Sequence, residues 1–167
     1  MIDTDVVSAV LRALFGVVML AHGYNHLAGP GGIAGTAAWF EGIGLRPGRV
    51  HAWLSSLVEL AVGVGLLAGL LLPVAAAGGI GIMAVAGLIV HRPNGFFIFR
   101  EGYEYVLVVG LALAVLAAIG PGRLSLDHAL GIDRHGWGYG LAALLAGLAG
   151  ALLLLATSYR PAAAPPA

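Results

Sequence analysis

Residues 6–28, VVSAVLRALFGVVMLAHGYNHLA, decide the fold. The run from Val6 to Leu27 would extend roughly 33 Å as a helix at 1.5 Å per residue. A bilayer's hydrocarbon is about 30 Å thick, so the segment is long enough to cross it. Yet it carries Arg12 near one end, and His22 and His26 one turn apart at the other. At 100° per residue Arg12, Phe15, Met19, His22 and His26 fall within an arc of about 80°. One side of this helix is therefore polar at both ends and apolar between. Ionisable groups inside a membrane are expensive, and their placement is informative.

Composition agrees with a membrane environment. Of 167 residues 60% are hydrophobic and 10% charged, with a mean hydropathy of +0.97. Ordinary globular domains are about 25% charged, so this chain cannot cover its surface with charge and needs the bilayer as solvent. The eight basic residues are all arginine, balanced by eight acids. No basic block points to nucleic acid, and no polybasic run to an electrostatic grip on headgroups. Cysteine is absent, which excludes disulfides, thiol redox chemistry and Cys-ligated clusters. The acidic start MIDTDVV is not that of a cleavable signal, so the first segment is expected to be retained.

Four further apolar segments follow. After the break AGPGGIAG, TAAWFEGIGL reads as a short interfacial or re-entrant helix. The second and third spans, about Ala52–Leu72 and Pro73–Val90, form a hairpin, with Pro73 in a first helical turn. The loop HRPNGFFIFREG suits an interface through Phe96, Phe97 and Phe99. A fourth span, about Tyr103–Ile119, stops at GPG, and a fifth runs from about Tyr139 to Thr157. No segment reads as a soluble domain. Small residues at spacings of three and four, as in GVGLLAG, GGIGIMAVAG and the Gly140, Gly147, Gly150 series, predict close helix packing and leave room for self-association. The fold class is all-α, a polytopic transmembrane bundle.

The hairpin geometry places His22, His26, Glu59, His91 and Glu104 toward one face of the membrane. Three readings of this cluster stay open. In one, glutamate pairs with histidine or with Arg12 and merely locks the helices together. In another, the residues line a pocket for a quinone or similar amphipathic molecule, with His and Glu exchanging protons with its carbonyls. In the weakest, two His at i,i+4 and a carboxylate hold a metal; without a zinc-protease glutamate between the histidines, hydrolysis has no support. Bis-histidine haem is weaker still.

Taken in order, LRALFGVVMLAHGYNHL, ELAVGVGLLAGLLLP, NGFFIFREGYEYVL and GPGRLSLDHAL resemble the DoxX family of small bacterial membrane proteins, over about residues 7–130. The resemblance implies a four-helix transmembrane core. It divides the chain into a bundle at 1–134, an additional helix at 135–158 and a disordered tail at 159–167. The family takes its name from a subunit linked to thiosulfate:quinone oxidoreductase and terminal oxidase activity in archaea, and other members are associated with redox and detoxification complexes. Carried over by position, it marks Arg12, His22, Gly23, Glu59, Glu104, Gly120, Gly122, Ser125 and Asp127. Two departures stand out. His26 occupies a place where many members have lysine, and the fifth span is extra, an added contact surface.

GPGRLSLD also has a physical reading of its own. Gly120, Pro121 and Gly122 end the fourth helix at the interface. Arg123 can snorkel to phosphates or to the carbonyls of that helix end. Ser125 and Asp127 are caps for a short surface helix, where Arg123 and Asp127 would be i,i+4 neighbours. The segment lies across the membrane from the histidines. Arg46, Arg49, Arg92, Arg100 and Arg160 lie on the histidine side, against Arg12, Arg123 and Arg134 on the other, so the positive-inside rule makes the histidine side cytoplasmic. The family topology implies the reverse.

The sequence thus leads to a multi-pass protein of the bacterial cytoplasmic membrane, in contact with lipid, with other subunits and, through its glycine face, with further copies of itself. Its expected role is that of an accessory subunit of a redox complex, with His22, His26, Glu59, His91 and Glu104 contacting a quinone. The alternatives are a structural or assembly subunit, and a carrier of small solutes or lipid.

Overall fold

The computed structural model describes residues 3–161. The first helix, α1 (Thr4–Ala28), starts where the Asp3 carboxylate accepts the Asp5 backbone N–H at 2.9 Å and stops at Gly29, ahead of Pro30. The segment read as interfacial is a helix, α2 (Gly32–Gly42). α3 (Gly48–Ala68) begins after Pro47 and ends at Gly69, whose φ of 62° is the left-handed conformation that glycine takes without penalty. α4 (Leu72–Ala86) has Pro73 in its first turn and continues as one π-turn, Gly87–His91, and one 3₁₀ turn, Arg92–Asn94. α5 (Glu104–Ile119), the four-residue α6 (Leu126–Ala129) and α7 (Trp137–Ser158) complete the fold. Among the described residues there is no strand, only one antiparallel bridge between Leu45 and Tyr159.

Four helical segments are long and apolar enough to cross a membrane: Thr4–Ala28, Gly48–Ala68, Leu72–Asn94 and Trp137–Ser158. The remaining segment, read as the fourth span, is shorter. α5 has 16 residues, roughly 24 Å of helix against about 30 Å of hydrocarbon. It packs against α4, α7 and α1, so protein meets much of its surface.

α1, α3, α4 and α5 form the central bundle, each in contact with the next and α5 returning to α1. α2 lies across α3 and the end of α1, and α7 packs on α4 and α5. The core gathers Met19, Leu66, Leu72, Ile80, Leu113 and Leu116. Glycine sets the distances between helices. A Cβ on Gly16 would stand 3.0 Å from the Gly63 carbonyl oxygen, and one on Gly63 would stand 2.9 Å from that of Gly16. On α7 the expected glycine series divides. Cβ atoms on Gly140 and Gly147 would each fall 2.7 Å from a neighbouring backbone oxygen, of Ala114 and Ala77, while one on Gly150 would meet nothing within 4 Å. The glycine face that left room for further copies is thus largely occupied by α4 and α5 of the same chain.

The tail expected to be disordered begins differently. Arg46 N–H donates to the Ser158 carbonyl at 2.9 Å and Arg160 N–H to that of Gly44 at 2.6 Å, which ties residues 158–160 to the α2–α3 link. Residues 162–167 lie outside the described part of the chain.

Candidate functional site

At the end of the bundle where α1 finishes, a chamber of about 380 Å³ opens between α1, α2, α3, α4, α5 and α7. His22 and His26 reach it from α1, His51, Ser55 and Glu59 from α3, and His91 from the π-turn. The rest of the wall is apolar or aromatic, with Met19, Trp39, Phe40, Met83, Val106 and Leu154 among its residues.

Glu59 is the most deeply placed ionisable group there, with 3% of its side chain exposed. It stands eleven residues into α3, about 16 Å from that helix's start. Its Oε1 accepts the Ser55 hydroxyl at 2.7 Å and lies 3.5 Å from His26 Nε2. Its Oε2 is buried and has no hydrogen-bond partner. Gly23 makes this approach possible: a Cβ there would come 3.0 Å from the Ser56 carbonyl oxygen and 3.1 Å from the Glu59 Cβ. His26 in turn rests beside the Phe40 ring, centroid to centroid 5.9 Å.

His51 was not among the sequence candidates. It is buried in the first turn of α3 and lines the chamber, with neither ring nitrogen in a hydrogen bond. Its spacing carried the signal: His51, Ser55 and Glu59 recur every four residues, so one face of α3 presents all three. His22 lies at the more exposed edge of the chamber. His91 lines it too, while its Nδ1 sits 2.7 Å from the Glu101 carbonyl oxygen.

Glu104 is a correction. It does not line the chamber; its Oε2 accepts the Ile98 N–H at 3.0 Å and so braces the loop before α5. The structure brings four of the five predicted residues together and replaces the fifth with His51. Nor do the charged groups form a metal cage. Among the described residues no three of His, Asp and Glu converge as a metal-binding group.

The opposite end holds the second motif, and its partners differ from those expected. Arg12 does not meet Glu59. It is 2% exposed, donating through Nη2 to the Leu124 carbonyl at 2.5 Å and through Nη1 toward those of Leu66 and Leu67 at 3.4 Å. Asp127, 1% exposed, is not paired with Arg123. Its two oxygens accept the N–H groups of Leu71 at 2.7 Å and Leu72 at 3.0 Å, capping α4. Arg123 binds the Asp5 carboxylate, and that bond raises its pKa. Ser125 does cap α6, accepting His128 N–H at 3.1 Å. The Ser8 hydroxyl donates to the Gly120 carbonyl at 2.7 Å, and Pro121 is buried beside it. Gly120 and Gly122 adopt φ of 94° and 70°, conformations open to glycine.

The DoxX family model matches residues 7–92, just over half of the chain. The chain belongs to the DoxX family. The match runs from within the first turns of α1 to Arg92, near the end of the α4 segment, and includes every chamber residue from His22 to His91. The GPGRLSLD motif and α7 of this DoxX protein lie beyond it. No curated protein and no solved structure matches the chain.

Proposed function

We propose that this DoxX protein is an integral subunit of a redox assembly in the bacterial cytoplasmic membrane, and that its chamber receives the head of a lipophilic ligand such as a quinone. One observation carries the reading. Glu59 Oε2 and both His51 nitrogens are buried without partners, on residues that line a mostly apolar, ligand-sized space. A buried polar atom left unpaired costs about 1–3 kcal/mol, and in a membrane such groups mark ligand or proton pathways. The carbonyl and hydroxyl oxygens of a quinone or quinol head are partners of the right kind, and that head supplies two-electron, two-proton chemistry.

The chain's own contribution is to bind, orient and move protons. Ser55 donates to Oε1 of the Glu59 carboxyl, which leaves Oε2 without a partner in the protein. His26 stands within 3.5 Å of the other oxygen, so a proton taken up at Glu59 has a neighbouring base. Phe40, Trp39 and Leu154 exclude water and flank an aromatic head.

The same His26–Glu59 contact favours a second reading, in which the cluster only locks α1 to α3. The two separate in one preparation. An organic extract of protein purified in mild detergent should contain a quinone, and Glu59→Gln combined with His51→Ala should lose it. An extract free of quinone, with both substitutions changing only the unfolding temperature, overturns the proposal in favour of the lock.

A further inference from the structure

A second cavity lies on the other side of the α4–α5 seam. It is an open groove of about 350 Å³ between α4, α5 and α7, with a wall almost wholly apolar. Ile80, Leu111 and Leu148 lie at its inner part, and Arg92 and Tyr103 belong to its lining at the loop end. From Ile80 to Arg92 the helix rises about 18 Å, a length that suits a fatty-acyl chain. Gly87 and Gly110 widen it: a Cβ on Gly110 would touch only the Met83 Cβ, at 3.8 Å. The π-turn at Gly87–His91 brings Arg92 to this rim. Such turns recur at functional sites.

Arg92 is what separates this groove from ordinary lipid-facing surface. Its side chain is exposed and, like those of Arg46, Arg49, Arg100 and Arg134, has no ion-pair or hydrogen-bond partner among the described residues; of these arginines it is the one that lines the groove. An unpaired guanidinium above an apolar channel complements a phosphate above an acyl chain. Glu104, the acid nearest in sequence to Tyr103, is engaged by the Ile98 N–H.

We infer that the α4–α5–α7 groove is a site for one anionic phospholipid, its acyl chain along Ile80, Gly110 and Leu148 and its phosphate on Arg92. The site is independent of what the chamber holds, although Met83 and Val106 border both spaces.

The test uses the full chain, taken into nanodiscs of equimolar phosphatidylglycerol and phosphatidylcholine with matched acyl chains, released and weighed by native mass spectrometry. Phosphatidylglycerol should be retained over phosphatidylcholine by roughly fivefold, the worth of one arginine at an anionic surface. Arg92→Gln should equalise the two lipids and Arg100→Gln should leave the preference intact. Gly110→Val, which fills the groove without meeting backbone, should lower retention of both. Equal retention by the unsubstituted protein overturns the site. So does a preference that survives Arg92→Gln, or a Gly110→Val protein holding as much lipid as the parent.

Discussion

Two carboxylates near the same surface differ sharply in what they hold. Asp127 is buried and satisfies two N–H groups at the start of α4, whereas Asp5 pairs with an arginine that is 71% exposed. Exposed ion pairs are worth about 0–1 kcal/mol, while two helix-start donors left bare cost about 2–4 kcal/mol together. Asp127→Ala should therefore lower unfolding stability in detergent by about 2–4 kcal/mol, with Asp127→Asn losing about half of that. Arg123→Ala should change it by less than ~1 kcal/mol. The sequence named Asp127 a cap correctly in kind but assigned it to the wrong helix. Local spacing cannot show that a loop folds back on a helix start more than fifty residues earlier. His51 was missed for the opposite reason. Its periodicity with Ser55 and Glu59 was plain, but it precedes the stretch read as the second span.

Among the helices, apolar runs gave nearly every element to within a few residues, because length and hydropathy alone specify a span. They could not give the partners. Small residues at spacings of three and four occur on several faces, and only the packed structure tells a contact glycine from a free one. Gly147 faces the Ala77 carbonyl oxygen and the Ile80 side chain, and Gly150 faces open space. Gly147→Val should lift α7 off α4 and destabilise the protein by about 1–3 kcal/mol. Gly150→Val should stay within ~0.5 kcal/mol of the parent, both read from thermal unfolding in one detergent. If the two behave alike, α7 does not seat through Gly147. The π-turn was also illegible, since nothing in GLIVH distinguishes it from plain helix. It matters because it sets the position of His91 at the chamber and of Arg92 at the groove.

For the molecule as a whole, the two ends differ in free charge. Arg12 is buried in backbone contacts and Arg123 is engaged by Asp5, so one end is left with Arg134, while Arg46, Arg49, Arg92 and Arg100, together with Arg160 on exposed backbone carbonyls, lie at the other. By the positive-inside rule this asymmetry predicts that the chamber end lies inside, the reverse of what the family topology implies. With no native cysteine, single substitutions report this cleanly. An impermeant maleimide should modify Leu130→Cys in intact expressing cells and Phe99→Cys only after lysis; the reverse pattern sinks the assignment. The bundle and the convergence of His22, His26 and Glu59 could be read from helix ends and hairpin order. The closure of the chamber by Leu154 of α7 could not, because it depends on where a terminal helix docks. The stitches that finish each end also come late along the chain. The α3–α4 hairpin leaves the ribosome before Asp127 exists to cap it, and the Gly44–Leu45 link waits for Tyr159 and Arg160. At about 5–20 residues per second, the nascent hairpin spends seconds at the translocon with bare amide donors. A product truncated before Asp127 should thus be cleared faster than the full chain in expressing cells.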